Sequence, residues 1–366
     1  MNNISEENKT LENFKVWKAI IPVFIGFIVI IYLIFREIDK IDFSVLKFSK
    51  LLIIFLIFTF LMMIFRDLGY IIRLRILSSK ALSWIKCFRI IMLWEFTSAI
   101  TPSAVGGTSI ATIFLWKEGL TVGNSTSIVI ATSFLDELYF SIVFPLIFLI
   151  FNLSELFPKN DFYFLSLVIN GNSLLIIAII GYVIKLLWTI LMAYSIFKNP
   201  AFFGKLVKKI FKFRLLKKWL PSAEKMAIDF EISNKELKQK GLKFWIKTII
   251  ATFLSWTSRF LVLNFLLIGF VIITSESTYY TSFYEQIIIF ARQLTMWIMM
   301  LILPTPGASG FAEIIFSGYM KDLIKIEGFS PILAFVWRLI TYYPYLLIGV
   351  IIAPKWILKN YKKTKK

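Results

Sequence analysis

Along its 366 residues the chain alternates long apolar runs with short polar ones. The apolar runs are Ala19–Phe35, Leu51–Phe65, Ile90–Trp116, Ser125–Phe151, Phe162–Phe197, Thr248–Ile273, Ile287–Met320 and Pro331–Ala353. Continuous runs of this length predict helices that cross or enter a bilayer, whereas a barrel needs short alternating strands. Two runs are interrupted at their centres, one by Thr101-Pro102-Ser103-Ala104-Val105-Gly106-Gly107 and one by Pro304-Thr305-Pro306-Gly307-Ala308-Ser309-Gly310. Proline and glycine at that density break a helix. Each arm of the first is about ten residues long, roughly 15 Å or half a bilayer.

Charge orients the runs. Arg66–Arg89 holds six Lys and Arg, Lys198–Lys247 fourteen and Lys355–Lys366 six, whereas Thr274–Tyr284 holds none and Asn152–Asp161 only Lys159. The positive-inside rule puts the first three in the cytoplasm and the last two outside. Those sides become consistent if the two interrupted runs enter and return on one side; the alternative is that they are proline-kinked spans packed tightly. The expectation is an all-α polytopic membrane protein with six full spans and two re-entrant helical hairpins. The unit span–hairpin–span then occurs twice with opposite orientation, an inverted-topology repeat whose broken helices mark a site near the midplane. The halves are 1–197, with its hairpin near 90–117, and 248–366, with its hairpin near 287–320 and a basic cytoplasmic tail. Between them 198–247 reads as a basic surface helix, with Ala223, Met226, Ala227, Phe230 and Leu237 at helical spacing. Trp94, Trp116, Trp245 and Trp356 suit interfacial belts.

Composition narrows the chemistry. With 58% hydrophobic and 17% charged residues, a soluble fold is excluded. The net charge of +19 points to anionic headgroups, since no nucleic-acid motif accompanies it. Histidine is absent and Cys87 is the single cysteine, which removes imidazole catalysis, cysteine metal clusters and disulfides within the chain. No metal, cofactor or P-loop is expected. Residues 1–16 are polar and the run after them has no cleavage site, so Ala19–Phe35 reads as a retained first span.

Residues at the breaks carry a family resemblance. They are Arg73 and Arg75, Pro102 to Gly107, Leu115 to Gly119, Asp136-Glu137, Pro304 to Gly310 with Glu313, and Arg338 with Tyr342 and Pro344. In order and spacing the set resembles the lysylphosphatidylglycerol synthase transmembrane (flippase-like) family, the membrane domain of the multiple peptide resistance factor, over about residues 15 to 355. The second motif departs from the family's richer glycine run at Ala308 and Ser309. The sequence stops at Lys366 without the aminoacyltransferase domain of the resistance factor. Without that domain, lysyl-lipid synthesis by that route is not expected, and the resemblance implies translocation of a lipid or lipid-linked group.

Ionisable groups inside the runs are costly at the bilayer centre and are therefore paired or cavity-facing. The acids are Glu95, Asp136, Glu137 and Glu313, and the bases Lys185, Arg259, Arg292 and Arg338. Asp136-Glu137 reads either as a cation or proton site or as a buried partner of Arg292 or Arg338. Glu313, three residues past Gly310, either caps its own helix or meets substrate. Arg292 and Arg338 either grip a phosphate bidentately or neutralise the carboxylates. Glu95 either selects cationic headgroups or pairs with Arg89 or Lys86, and Lys185 and Arg259 either snorkel or pair. Backbone N–H groups freed at the breaks favour an anion. The candidate substrate-binding set is Glu95, Thr101, Pro102, Gly106, Gly107, Asp136, Glu137, Arg292, Pro306, Gly307, Gly310, Glu313 and Arg338. The expected function is a flippase-like transporter of the cytoplasmic membrane, not an enzyme, with membrane lipids as partners and self-assembly left open. Alternatives are an intramembrane enzyme on a lipid phosphate and a scaffold of a cell-envelope synthase.

Overall fold

The computed structural model describes residues 17–46, 49–101, 103–157, 162–164, 167–212, 237–273, 282–300, 308–324 and 326–364, with isolated positions between 220 and 234. Pro102, Pro306 and Gly307 lie outside the described residues. Gly106 and Gly107 are described only as backbone.

The elements run α1 (Trp17–Glu37), α2 (Lys50–Leu77), α3 (Trp84–Ile100), α4 (Ser103–Lys117), α5 (Val122–Ile150) and a single turn, α6 (Leu153–Leu156). A ribbon of β1 (Phe162–Phe164) and β2 (Leu167–Ile169) follows, antiparallel with Phe162 opposite Ile169. Then come α7 (Gly171–Ala193), α8 (Pro200–Phe211), α9 (Leu242–Ile273), α10 (Phe283–Met300), α11 (Phe311–Tyr319), α12 (Ser330–Thr341) and α13 (Tyr343–Thr364). Among the described residues five helical stretches are long and apolar enough to cross a membrane: Lys50–Leu77, Val122–Ile150, Gly171–Lys198, Leu242–Ile272 and Ser330–Asn360. The last bends at Tyr342, where α12 gives way to α13.

Polarity is reversed relative to a water-soluble bundle. On α7 the buried side chains are Leu174, Ala178, Gly181, Lys185, Thr189 and Met192, one stripe at spacings of three and four. Ile176, Ile180, Ile184 and Leu187 point outward. Where the solvent is hydrocarbon, an apolar outer face costs nothing, and the polar stripe must face protein.

Helices α2 and α9 pack against each other along most of their length and run antiparallel. Near one end Gly69 abuts Ala251 and Ser255, and near the other Gly269 abuts Phe55 and Leu52. A methyl group on Gly69 would stand 2.4 Å from Ser255 Oγ and 2.7 Å from the Ala251 carbonyl oxygen, so only glycine permits this crossing. The order long helix, two shorter helices, long stretch occurs twice: α2, α3–α4, α5 and α9, α10–α11, α12–α13.

The first pair of shorter helices breaks where the sequence predicts, at Thr101, whose extended backbone (φ −102°, ψ 141°) ends α3 before α4 starts at Ser103. Its open end is closed by Glu118, which takes Arg89 Nη1 at 2.9 Å and Trp356 Nε1 at 3.0 Å, while its carbonyl accepts from Lys86 Nζ at 2.6 Å. Helix α13 packs along α3, and Gly349 leaves room there for the ring of Phe96. In the second pair, left-handed backbone at Ala308 (φ 54°) and Gly310 (φ 85°) leads into α11.

Three expectations change. The run Leu51–Phe65 is part of a helix continuing to Leu77, Phe162–Phe197 begins as the ribbon, and Trp245 and Trp356 are buried in the protein instead of lying in belts. In the basic stretch, Ala227 and Leu237 are buried, and Asn234 Nδ2 donates to the Ile196 carbonyl at 2.9 Å in the widened turn after α7. Ala223, Met226 and Phe230 lie outside the described residues.

Candidate functional site

Ionisable side chains of α2, α3, α5, α7, α9, α11 and α12 point inward and meet in a polar seam. Helix α2 contributes first, because its inward stripe is Arg66, Gly69, Tyr70, Arg73 and Leu77. Arg66 Nη2 meets Glu95 Oε2 at 2.6 Å, and Arg66 Nη1 meets Asp67 Oδ1 at 2.8 Å. The Tyr345 hydroxyl donates to the same Asp67 oxygen at 2.9 Å. The rings of Tyr70 and Tyr345 cover the Arg66 guanidinium at 4.8 and 4.7 Å. Two helical turns on, Arg73 grips Asp136 through both carboxylate oxygens, at 2.5 and 3.3 Å, and Trp256 Nε1 donates to Asp136 Oδ1 at 2.7 Å. The next residue, Glu137, takes Lys185 Nζ of α7 at 2.5 Å.

These three pairs share an asymmetry. The cations are closed off, with 1%, 4% and 6% of the Arg66, Arg73 and Lys185 side chains exposed, while Glu95, Asp136 and Glu137 keep 24%, 24% and 20%. The open groups are therefore carboxylates. Breaking any pair by removing its cation strands a charge in low dielectric, at a cost of about 3–5 kcal/mol.

The second hairpin is built differently. Glu313 Oε2 accepts from the Gly310 N–H at 2.8 Å, capping α11, while Oε1 takes Arg338 Nε at 2.9 Å. Both partners are buried. Ser309 Oγ donates to Tyr342 Oη at 3.2 Å, and Tyr342 Oη donates to the Ala99 carbonyl at 2.9 Å. The break of the second hairpin is thereby tied to the last turn of α3 before the break of the first. Thr101 itself turns its hydroxyl back to the Thr97 carbonyl, at 2.6 Å.

The pairing differs from that read in the sequence. Asp136 and Glu137 are not held by Arg292 or Arg338 but by Arg73 and Lys185. Glu95 goes to Arg66, because Arg89 and Lys86 are committed to Glu118. Arg292 lies away from the seam, forked onto Asp322, with Nη2 to Oδ2 at 2.8 Å, and its Nε donates to the Glu155 carbonyl at 2.7 Å. Arg66, Asp67, Arg73, Trp256 and Tyr345 were not among the expected site residues. The signal for the first three was the continuation of α2's apolar stripe beyond Phe65.

Residues 19–349 match the family described as lysylphosphatidylglycerol synthase TM region. The chain belongs to that family. A relative from Archaeoglobus fulgidus, described as a UPF0104 membrane protein, is 26% identical over 323 residues, covering 86% of this chain and 89% of its own length. No solved structure matches. The protein is thus a membrane protein of the lysylphosphatidylglycerol synthase transmembrane family, and the family region takes in every charged pair of the seam.

Proposed function

We propose that the protein is a flippase-like transporter that moves the headgroup of a phospholipid or lipid-linked molecule across the cytoplasmic membrane while the tails stay in hydrocarbon. The observation carrying this reading is the seam, in which open carboxylates and closed cations line helices that are otherwise apolar. A purely structural set of ion pairs has no need to leave three carboxylates a fifth to a quarter exposed. Open carboxylates suit a cationic or zwitterionic headgroup, or a proton that couples transport to a gradient.

In this reading α1 is a sixth crossing, the pairs α3–α4 and α10–α11 are re-entrant, and both termini are cytoplasmic. The bond chain Ser309–Tyr342–Ala99 brings the two breaks together as a site between inverted halves requires. The protein acts as a carrier and not as an enzyme. In support, Ser309 Oγ is engaged by Tyr342 and Arg338, and no base accepts its proton among the described residues.

The test is translocation in reconstituted vesicles. Headgroup-labelled lipids of several classes are bleached from outside by a membrane-impermeant reductant, with and without a proton gradient. Faster loss of the inner-leaflet signal than in empty vesicles is expected, and loss no faster for any class overturns the reading.

A further inference from the structure

One interior cation breaks the pattern. Arg66, Arg73, Lys185, Arg292 and Arg338 each have a carboxylate within salt-bridge distance. Arg259, midway along α9, has none among the described residues, and its N–H groups donate to no oxygen there. The indole of Trp297 lies under its guanidinium at 4.1 Å, and that of Trp256 stands beside it at 5.6 Å. Contact with a ring face fixes the plane of the fork but satisfies none of its five in-plane donors. Arg259 is also partly exposed, whereas its five counterparts are buried.

The two halves explain how this cation came to be left open. In the first, the incoming hairpin arm α3 presents the carboxylate of Glu95 to Arg66 of α2. In the second, the incoming arm α10 presents the indole of Trp297 to Arg259 of α9. An indole holds the guanidinium in place without neutralising it. Five unsatisfied donors on a full charge inside an apolar bundle carry a large desolvation cost unless something occupies them. The charges acting on it from neighbouring helices are Arg66, which repels it, and Glu95, which attracts it without contact.

We propose that Arg259, resting on Trp297 with Trp256 beside it, is the seat for a phosphate group. A planar fork with free donors matches the oxygens of a phosphate bidentately, which an ammonium cannot do. The source is either the phosphodiester of a lipid headgroup or free inorganic phosphate. For the lipid the inference rests on the transport reading, and it gives that reading the anion half of a headgroup whose cationic half faces Glu95.

Binding is measured by calorimetry on the purified full chain in neutral detergent. The titrants are short-chain phosphatidylglycerol, the matching diacylglycerol without phosphate, and inorganic phosphate. Wild type is expected to bind phosphatidylglycerol and not diacylglycerol. Arg259→Gln is expected to lose about tenfold or more in affinity, with Arg259→Lys in between because the charge stays and the fork goes. Trp297→Leu, which keeps the cation and removes its support, is expected to weaken binding in the same direction. Binding of inorganic phosphate as tight as that of the lipid, and equally lost in Arg259→Gln, keeps the seat and identifies free phosphate as its ligand. Binding unchanged in Arg259→Gln, or no binding of either phosphate by wild type, overturns the seat. Vesicle translocation separates the two readings. Wild type that binds but does not translocate keeps the seat and sinks transport, and Arg259→Gln that translocates at the wild-type rate keeps transport and removes the seat from its route.

Discussion

Tyr342 donates its phenolic proton to the main-chain carbonyl of Ala99 at 2.9 Å, across 243 residues of sequence. Ala99 stands two residues before the break of the first hairpin, and Tyr342 is the bend between α12 and α13. The same oxygen accepts from Ser309 at the second break. One hydroxyl therefore joins both hairpins to the last long helical stretch. In the re-entrant reading the breaks lie at membrane depth, where irregular backbone requires partners of this kind because hydrocarbon offers none.

Tyr342→Phe removes the hydroxyl and keeps the ring. The Ala99 carbonyl and the Ser309 hydroxyl then lose a buried partner, at a cost of about 1–3 kcal/mol. The thermal midpoint in detergent is expected to fall by several degrees. Lipid translocation should fall further than stability, because the relative placement of the two breaks is what the bond fixes. An unchanged midpoint would mean that water replaces the phenol without loss.

Arg66 and Glu95 are expected to respond unequally to replacement. Arg66→Met strands both Asp67 and Glu95 and should destabilise by about 3–5 kcal/mol. Glu95→Gln leaves Arg66 its Asp67 partner at 2.8 Å and keeps the side-chain shape, so a loss of about 1 kcal/mol is expected. Translocation in Glu95→Gln should nonetheless drop strongly, since in the proposed transport reading the open carboxylate is what a headgroup or proton meets. Chemical denaturation beside the vesicle assay checks both, and equal destabilisation by the two variants would contradict the asymmetry of the pair.

Much of this was legible along the chain. The runs Ser125–Phe151 and Thr248–Ile273 became α5 and α9 because continuous apolar sequence has one outcome in a bilayer. The break appeared at Thr101, just ahead of the proline that the sequence places there. Pairing was less legible. A sequence shows that Asp136 sits inside an apolar helix, but its partner is set by which helix packs there. Arg66 and Arg73 looked cytoplasmic because the apolar run ends at Phe65. Their burial follows from the phase of α2, in which Arg66, Gly69, Tyr70 and Arg73 share a face. Glu313 was read either as a cap or as a substrate contact. The cap is present at Gly310, together with a buried partner in Arg338.

Gly69 carries the crossing of α2 and α9. In Gly69→Ala the new methyl group meets Ser255 Oγ, which itself donates to the Arg66 carbonyl at 2.6 Å, and the fixed carbonyl of Ala251. The helices must separate, at an expected cost of about 1–3 kcal/mol. Adding Ser255→Gly removes the side-chain clash but not the backbone one, so the double variant should recover only part of the thermal midpoint. Full recovery would show that the Ala251 carbonyl is not the limiting contact.

Glu155 gives a pH dependence of known sign. Its Oε1 accepts from the Tyr284 hydroxyl at 2.7 Å and its Oε2 from the Asn152 N–H at 3.0 Å. Those bonds, Tyr284 foremost, hold the carboxyl below the usual range. They tie α6, between the α5 and α7 stretches, to the start of α10. A carboxylate held low stabilises the fold fully above its unfolded value of about 4.3, and that stabilisation is lost as pH falls through the lower folded value. Thermal midpoints of wild type and Tyr284→Phe should therefore differ most at neutral pH and converge in acid. Glu155→Gln should show the smallest loss of midpoint on acidification of the three. Because the pair is solvent-exposed, the gap should be small, and a gap that widens as pH falls would assign the tie to the protonated acid instead.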